Sequence, residues 1–258
     1  MFRKNQPYFK FYGRLFRNTL FTFEHIFTQN ETSKNLLLSI NYDSITVSGD
    51  TRFDRVANQL KTDNTLAFIE SFKDNKLCVV AGSTWPEDDI LLVNFINSDV
   101  SKNIKFIIAP HNIKSHQINN LKARINDDVV LFSEKDTQPL SAAKVFIIDT
   151  IGILSKVYSY SNIAYVGGAI GNTGLHNILE PAVFGVPIII GNYHKKFPEA
   201  QTMIDTGGVF SISNQKEFDS ILNELLIDTK KRQFSGNTNK IFINENKGAL
   251  IKILNYLK

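Results

Sequence analysis

Short apolar runs alternate with longer polar or amphipathic stretches along most of this chain. Runs of this length that are rich in Val, Ile and Phe and end near Gly, Pro or Asp are typical of buried β-strands. They predict strands at residues 45–48, 77–81, 105–109, 129–132, 145–148, 163–166, 186–190 and 209–212.

The stretches between these runs have the pattern of helices. Ser83 or Thr84 is predicted to cap one helix, because Pro86 suits its first turn and the acidic residues 87–89 favour its positive end. Further helices are expected at 113–125, at 152–160, from Pro198 onward, and from 216 to the C-terminus with a break near Gly236.

The alternation of strands and helices with short loops predicts an α/β fold, a Rossmann-like doubly wound parallel sheet with helices on both faces. Ligands of such sheets bind beyond the carboxyl ends of the strands. Residues 1–44 have no obvious place in the alternation and are assigned to a different unit. The Rossmann-like domain is predicted over 45–240, followed by a C-terminal helix over 241–258.

The segment 165–200 carries the clearest chemical signal. It passes from a buried strand into a glycine-rich turn and then into a predicted helix with His176, Asn177 and Glu180. Glycines let the backbone approach a ligand closely, and the start of a helix presents N–H groups and a partial positive charge. This pattern predicts a pocket for a nucleotide or a sugar phosphate. The glycines of the turn are Gly167, Gly168, Gly171 and Gly174.

Composition narrows the class of protein. The chain has 258 residues, of which 43% are hydrophobic, as is ordinary for a globular protein with an ample core. It has no apolar run long enough to span a membrane and no pattern of a signal peptide. The single cysteine, Cys78, lies in an apolar run and is predicted to be buried. One cysteine excludes an internal disulfide and favours a reducing, cytoplasmic setting.

The net charge of +4 is unevenly distributed. Residues 1–23 carry five basic residues and many aromatic ones, with no acid before Glu24. Two interpretations stay open: a segment that lies on anionic lipid headgroups, or a helix whose aromatic face packs on a domain while its basic face is solvated. Nucleic-acid binding is not supported, because no RNA- or DNA-binding motif accompanies the charge.

Five segments of the chain together resemble the C-terminal half of the 3-deoxy-D-manno-octulosonic acid (Kdo) transferases of lipopolysaccharide synthesis. The motifs stand in the same order as in that family, and the resemblance covers the chain from about residue 10 to the end. The pair LHNILEPA and NYHKKFPEA is its most specific part. The segments are SGDTRFDRV (48–56), AGSTWPEDD (81–89), APHNI (109–113), DTIGILSKVYSYSNIAYVGG (149–168) and GLHNILEPAVFGVPIIIGNYHKKFPEA (174–200).

The resemblance implies a GT-B glycosyltransferase, in which two Rossmann-like domains flank the active site. The C-terminal domain would bind the donor, CMP-Kdo. The N-terminal domain would bind the lipid A precursor (lipid IVA), touch the inner membrane and supply a carboxylate base, and residues 1–44 would be a remnant of it. The implied location is the cytoplasmic face of the bacterial inner membrane. This chain by itself is expected to be soluble and, without the base, inactive in transfer.

The family motifs also imply a nucleotide site. It would consist of Pro110 and His111, of Ile151, Gly152 and Ile153, and of Asn177, Ile178, Leu179 and Glu180. Glu180 would accept hydrogen bonds from the ribose hydroxyls, a task that suits the several acceptor positions of a carboxylate. The chain departs from the family at His111, where arginine is common, and at Ile153, where glutamate is common. Backbone groups at Gly152 are therefore expected to make the contacts there.

Arg52 is the expected catalytic residue, in the place of a basic residue that is commonly lysine in the family. A fixed cation there would stabilise charge on the departing phosphate, whereas the simpler interpretation is a surface pair with Asp50 or Asp54. Further candidates for ligand contacts are Ser83, Gly168, Gly174 and His194. No metal ion or cofactor is expected, because the sequence has no motif of metal ligands.

The function favoured by the resemblance is transfer of Kdo from CMP-Kdo to a lipid A precursor, by direct displacement with inversion. This chain would be the donor-binding half. Two alternatives stay open: a nucleotide-binding module without turnover, and another GT-B activity such as that of a UDP-sugar transferase or epimerase.

Overall fold

The computed structural model describes residues 1–258, and the chain divides into two compact units. The first unit comprises Met1–Asn58 and Asn244–Lys258, and the second comprises Gln59–Ile243. No helix combines the length and the apolar character needed to span a bilayer.

The elements are numbered along the chain. The strands are β1 (Ile26–Thr28), β2 (Ile45–Val47), β3 (Leu77–Thr84), β4 (Ile104–Pro110), β5 (Val129–Leu131), β6 (Val145–Ile147), β7 (Ile163–Val166), β8 (Ile188–Gly191) and β9 (Val209–Ile212). The helices are α1 (Arg14–Leu20), α2 (Glu31–Leu38), α3 (Thr51–Gln59), α4 (Ala67–Lys73), α5 (Pro86–Ile96), α6 (Ser115–Ala123), α7 (Leu154–Val157), α8 (Leu179–Ala182), α9 (Pro198–Asp205), α10 (Gln215–Ile227), α11 (Thr229–Asn246) and α12 (Ala249–Tyr256). Short 3₁₀ helices lie at Pro7–Phe9, Asp99–Ser101, Phe132–Glu134 and Tyr158–Tyr160.

The first unit is built on a small β–α–β arrangement. Strands β1 and β2 pair in parallel, with Ile26 opposite Ile45, and α2 lies between them in sequence. The segment before residue 45, which had no place in the predicted alternation, therefore contributes a strand of its own. Its three-residue run IFT is too short to stand out as a strand in the sequence. A core of Leu20, Leu37 and Tyr42 holds the unit together.

The unit boundary differs from the predicted domain boundary at residues 44 and 45. Strand β2 hydrogen-bonds to β1, and the Asp54 carboxylate accepts hydrogen bonds from the backbone N–H groups of Gly248 and Leu250. These contacts place 45–58 and the C-terminal helix α12 together in the first unit. How the chain divides into functional domains stays a prediction.

The second unit is a seven-stranded parallel sheet in the order β5-β6-β4-β3-β7-β8-β9. Its strands are almost wholly buried, as expected for a parallel sheet covered on both faces. The predicted α/β, Rossmann-like doubly wound fold is confirmed. The predicted strands from residue 77 onward all occur, and β7 and β9 have the predicted bounds. Cys78 is fully buried as predicted, and burial raises the pKa of its thiol to about 12.

Three predicted helices differ from the observed ones. The helix expected to carry His176, Asn177 and Glu180 is only the single turn α8, so His176 and Asn177 lie in the loop before it. The stretch 152–160 is split into α7 and a 3₁₀ turn. The helix after β3 is capped at Trp85, not at Ser83 or Thr84, because β3 continues to Thr84.

The break predicted near Gly236 was wrong, because α11 runs through this glycine without interruption. The chain breaks instead at Asp228, between α10 and α11, and near Gly248, between α11 and α12. Gly236 serves packing: a Cβ atom there would lie 2.1 Å from the carbonyl oxygen of Gly185. The glycine therefore allows the backbone of α11 to pack directly against the backbone of the turn before β8.

The substitution Gly236→Ala tests this contact. Alanine normally stabilises a helix interior by about 1 kcal/mol relative to glycine. Here we expect the free energy of unfolding to fall by about 1–3 kcal/mol, because the added methyl group meets backbone atoms that cannot rotate away. Urea denaturation of both proteins gives this difference.

Asn237→Ala is the matched control on the same helix, since Asn237 is exposed. We expect it to change the free energy of unfolding by less than about 0.5 kcal/mol. A Gly236→Ala variant as stable as the unsubstituted chain would show that the helix can shift without cost.

Candidate functional site

The candidate residues of the second unit gather where the sheet reverses its direction of winding. From β3 the chain moves to one side through β4, β5 and β6, and it then returns to the other side of β3 to form β7. Strands β3 and β7 are thus neighbours whose connections leave in opposite directions. The crevice beyond the carboxyl ends of such a pair is the usual ligand site of a doubly wound sheet.

The carboxyl ends of β3 and β7 are so close that their backbones are in contact. A Cβ atom at Gly167 would lie 2.5 Å from the carbonyl oxygen of Ser83 and 2.7 Å from Oδ2 of Asp88, so only glycine fits there. Ser83 itself has a left-handed backbone with φ of +54°, beside a register shift in the pairing of β3 with β4. A non-glycine residue in this conformation is uncommon and strained, a feature that clusters at functional sites.

A buried carboxylate, Asp88, joins the two strand ends. Its Oδ2 accepts hydrogen bonds from the backbone N–H groups of Trp85 and Gly168, each at 2.8 Å, and its Oδ1 accepts one from the Tyr165 hydroxyl at 2.6 Å. Burial raises the pKa of Asp88, and the hydrogen bonds from Tyr165, Gly168 and Trp85 act in the opposite direction. The side chain is wholly inaccessible to solvent, so its role is to hold the site in shape.

Three aromatic rings lie together at this edge of the sheet. The indole N–H of Trp85 donates a hydrogen bond to Nε2 of His176, with 3.0 Å between the nitrogens. The two rings are nearly coplanar, at 17°. His111 covers both of them, with its centroid 4.6 Å from that of Trp85 and 4.6 Å from that of His176. Burial, and then the charge of His111, lower the pKa of His176.

Asn177 and Glu180 form a pair at the start of α8. The Asn177 amide donates to Oε1 of Glu180 at 3.0 Å, and its own oxygen accepts from the backbone N–H of Leu179 at 3.2 Å. Burial, and then the charge of Glu180, raise the pKa of the Tyr158 hydroxyl. The carboxylate of Glu180 thus lies within electrostatic range of the segment that follows α7. Ile178 and Leu179 are buried and contribute packing.

The loop of Ile151, Gly152 and Ile153 follows β6 and is open to solvent at its first two residues. Ile153 is the residue before α7, and its carbonyl oxygen accepts the first helical hydrogen bonds. Asp149, just before the loop, accepts hydrogen bonds from the backbone and hydroxyl of Ser133. The loop therefore offers backbone groups and an exposed isoleucine, and contact of its backbone with a ligand stays a prediction.

The glycine-rich turn is closed on itself and tied to the next strand. The N–H of Gly174 donates to the carbonyl oxygen of Gly168, and the N–H of Tyr193 donates to that of Ala169. This second bond brings the loop of His194 next to the turn. His194 is buried, and its Nδ1 has no hydrogen-bond partner. Burial, and then the charge of Lys195, lower its pKa.

Arg52 belongs to the first unit, whereas all the nucleotide-site candidates belong to the second. Its guanidinium donates from Nε and Nη2 to Oδ2 of Asp50, at 2.8 and 2.7 Å. The surface pair with Asp50 is thus present. The catalytic role of Arg52 stays a prediction.

Most of the residues at the strand ends were predicted from the sequence, whereas the residues that hold these ends together were not. His111, Gly168, Gly174, Asn177 and Glu180 all lie on segments at the carboxyl ends of β3, β4 or β7, and Pro110 pairs with Thr84 in the sheet. Trp85, Asp88 and Tyr165 were not predicted to take part. Asp88 was visible as an acid three residues into a helix, which explains one of its hydrogen bonds but not the other two.

Several known proteins share sequence or fold with this chain. No protein-family model matches the chain. The 3-deoxy-D-manno-octulosonic acid transferase of Haemophilus influenzae is 26% identical over 245 residues, which are 90% of this chain and 56% of that protein. The enzyme of the same name from Aquifex aeolicus is 32% identical over 170 residues, which are 61% of this chain and 46% of that protein. The chain thus spans about half the length of these relatives.

Solved structures show the same fold. The C-terminal CMP-Kdo binding domain of WaaA from Acinetobacter baumannii superposes with a TM-score of 0.58 at 23% identity, over 75% of this chain and 99% of that one. UDP-GlcNAc 2-epimerase from Neisseria meningitidis, bound to UDP-GlcNAc, gives a TM-score of 0.59 at 17% identity, over 97% of this chain and 67% of that one.

The fold and its glycine-rich switch point define the class: a Rossmann-like, doubly wound α/β domain, the fold that the chain shares with the solved CMP-Kdo binding domain of WaaA. Within that class the sequence is related to the Kdo transferases, and its resemblance to their C-terminal half is confirmed.

The substitution Asp88→Asn tests the link between the strand ends. Aspartate has two acceptor oxygens, whereas asparagine has one oxygen and one NH₂ group. In the variant the NH₂ group would therefore face at least one of the N–H or O–H donors that Asp88 now accepts from. We expect the free energy of unfolding to fall by about 1–3 kcal/mol, the cost of buried donors left without an acceptor. Thermal or urea denaturation measures it.

Glu87→Gln is the control, because Glu87 is exposed and lies in the same helical turn. Its loss of charge at the helix start should cost less than about 1 kcal/mol. Equal effects of the two substitutions would mean that Asp88 acts only through the helix dipole.

Proposed function

We propose that the second unit binds the sugar nucleotide CMP-Kdo, and that the chain takes part in transfer of Kdo to a lipid A precursor. The relationship to the Kdo transferases supports the reaction. One observation supports the assignment of the donor site: the glycine-rich turn, His111, Asn177 and Glu180 all lie near the switch point of the sheet. The cytidine would lie against this edge, with its phosphate near the glycine-rich turn.

The chemistry of the site fits a nucleotide diol and a phosphate. Glu180 presents a carboxylate whose orientation is fixed by the Asn177 amide. A carboxylate held this way accepts two hydroxyl hydrogen bonds with little loss of side-chain freedom. Asn172 and Thr173, in the middle of the Gly168–Gly174 turn, are exposed. A glycine-rich turn of this kind can present backbone N–H groups to a ligand, the arrangement that binds anions in many nucleotide sites.

In the proposed reaction the acceptor hydroxyl displaces CMP directly, with inversion at the anomeric carbon. Negative charge builds on the departing phosphate, and Arg52 is the cation of this chain proposed to stabilise it. The base that deprotonates the acceptor would come from an acceptor-binding half. We also propose that transfer needs no metal ion or cofactor, which assays with and without a chelator would check.

The substitution Glu180→Ala tests the ribose contact. We expect it to weaken CMP binding by about 1–3 kcal/mol, the scale of a lost hydrogen bond to a charged group, without changing the fold. Isothermal titration calorimetry measures the affinity, and circular dichroism checks the fold. Glu245→Ala, at an exposed carboxylate on α11, is the control and should leave CMP affinity unchanged.

The same titration with other nucleotides separates the donor assignments. The fold is shared with an epimerase bound to UDP-GlcNAc, so a UDP-sugar is the competing donor. Tighter binding of CMP than of UDP or GDP supports the proposal, and preference for UDP overturns it. Transfer assays with the chain alone, and then with an added acceptor-binding half, tell an enzyme from a module that binds without turnover.

We further propose that residues 1–23 lie against the surface of an anionic membrane. Phe2, Tyr8 and Phe9 pack on the core of the first unit, as the packed-helix interpretation requires. Leu20 is part of that core, whereas the other apolar residues of the segment are exposed, and Phe11 and Leu15 are 94% and 80% accessible. Arg14 and Arg17 stand on the same short helix as Leu15, so basic residues accompany the exposed apolar ones in this segment. The two interpretations thus apply to different residues of the same segment.

Vesicle sedimentation tests this surface. Phe11→Ser and Leu15→Ser should each weaken binding to vesicles rich in phosphatidylglycerol, since each buried side chain of this size contributes about 1.5–3 kcal/mol. The control is Ile227→Ser, an equally exposed apolar residue of the second unit. No binding of the unsubstituted chain to anionic vesicles, or equal loss in the control, would contradict the proposal.

A further inference from the structure

The single tryptophan of the chain fixes the protonation of a neighbouring histidine. An indole N–H can only donate a hydrogen bond, so Nε2 of His176, 3.0 Å from Trp85 Nε1, must offer a lone pair. A neutral imidazole that accepts at Nε2 carries its proton on Nδ1. A protonated imidazole has no lone pair and cannot accept this bond at all. The contact with Trp85 therefore selects one of the three protonation forms of His176.

The surroundings of the ring favour the same form. The ring of His111 stacks on both other rings, and its electrostatic effect, after burial, lowers the pKa of His176. The partial burial of His176 also penalises its charged form. The ionisable side chains on the neighbouring segments are Glu87, Asp88 and Asp89 of α5 and Glu180 of α8, and Asp88 is committed to three hydrogen bonds of its own.

The position of His176 gives this protonation form a use. Its backbone N–H donates to the carbonyl oxygen of Gly167, and its ring carbon Cδ2 would be 3.0 Å from a Cβ at Gly168. The ring is thus anchored to the glycine-rich turn, one residue before Asn177. No carbonyl or side chain of the protein accepts a hydrogen bond from Nδ1.

We propose that Trp85 is a positioning residue that holds His176 as the neutral, Nδ1-protonated imidazole, and that this N–H donates a hydrogen bond to an anionic oxygen of the donor. The oxygen belongs to the phosphate of the sugar nucleotide, which CMP also carries. The inference rests on the proposed function for its ligand, but the tautomer is a property of the chain without ligand.

The tautomer is measured directly, without any substitution. Two-bond ¹H–¹⁵N NMR spectra of the imidazoles distinguish a protonated Nδ1 from a protonated Nε2. We expect the Nδ1–H form at neutral pH for His176. A predominant Nε2–H form overturns the inference and leaves the proposed function untouched.

Trp85→Phe removes the N–H and keeps an aromatic ring under His111. We expect His176 to become a mixture of tautomers with a higher pKa, and the Kd for CMP to rise about 5–10-fold, the range of one lost hydrogen bond. Unchanged CMP affinity in this variant overturns the inference. If the unsubstituted chain does not bind CMP, the nucleotide assignment fails, and the ligand contact proposed here fails with it.

Substitution of His176 by asparagine or by glutamine separates a ligand contact from a purely structural role. A purely structural role would not predict different CMP affinities for the two variants. The asparagine NH₂ group can occupy the place of Nδ1, whereas glutamine reaches the place of Nε2. We expect His176→Asn to keep more CMP affinity than His176→Gln. In the His176→Asn background, Trp85→Phe should have no further effect, because the ring it orients is gone. A larger retained affinity in His176→Gln, or additive losses in the double variant, would contradict the proposal.

Discussion

The candidate site depends on one buried carboxylate that satisfies donors from three elements. The side chain of Asp88 accepts hydrogen bonds from the backbone N–H groups of Trp85 and Gly168 and from the Tyr165 hydroxyl. Without Asp88, these three donors would lose their acceptor. Burying a carboxylate is costly, and the raised pKa of Asp88 reflects this cost. Its three hydrogen bonds offset the cost and fix the distance between the ends of β3 and β7. Burial and the neighbouring carboxylate raise the pKa of Tyr165, so its hydroxyl stays a donor.

The chemistry beyond these strand ends follows from that fixed geometry. The close approach of Gly167 to Ser83 leaves no room for a side chain, so the turn after β7 lies against β3 as bare backbone. The turn then places His176 beside Trp85 and His111, and Asn177 beside Glu180. A stack of aromatic rings and an oriented carboxylate thus border one edge of the sheet, next to the glycine-rich turn. Such a set suits a base, a ribose and a phosphate better than it suits an apolar ligand.

The parallel sheet could be predicted because its strands are continuous apolar runs with clear ends. The strands of the first unit and the length of α8 could not, since three-residue strands and single helical turns are decided by tertiary contacts more than by local pattern. Gly236 shows the same limit. A glycine usually weakens a helix, yet here the approach of Gly185 requires it inside one.

Part of the site was also predictable. The glycine-rich turn with Asn177 and Glu180 stood out as a motif, because the residue types and their spacing carry the chemistry. Trp85 and Asp88 did not stand out, because their partners lie 91 and 80 residues away in sequence, at His176 and Gly168. Contacts at that range follow from the order of the strands and become visible only in the folded chain.

The central claim is that the crevice beyond β3 and β7 binds cytidine monophosphate. A crystal structure of the chain grown with CMP tests it most directly. The account predicts density for the ribose at Glu180 and for the phosphate at the turn of Gly168 to Gly174. Density for CMP at another place, or crystals that stay without the nucleotide at saturating concentration, would contradict it.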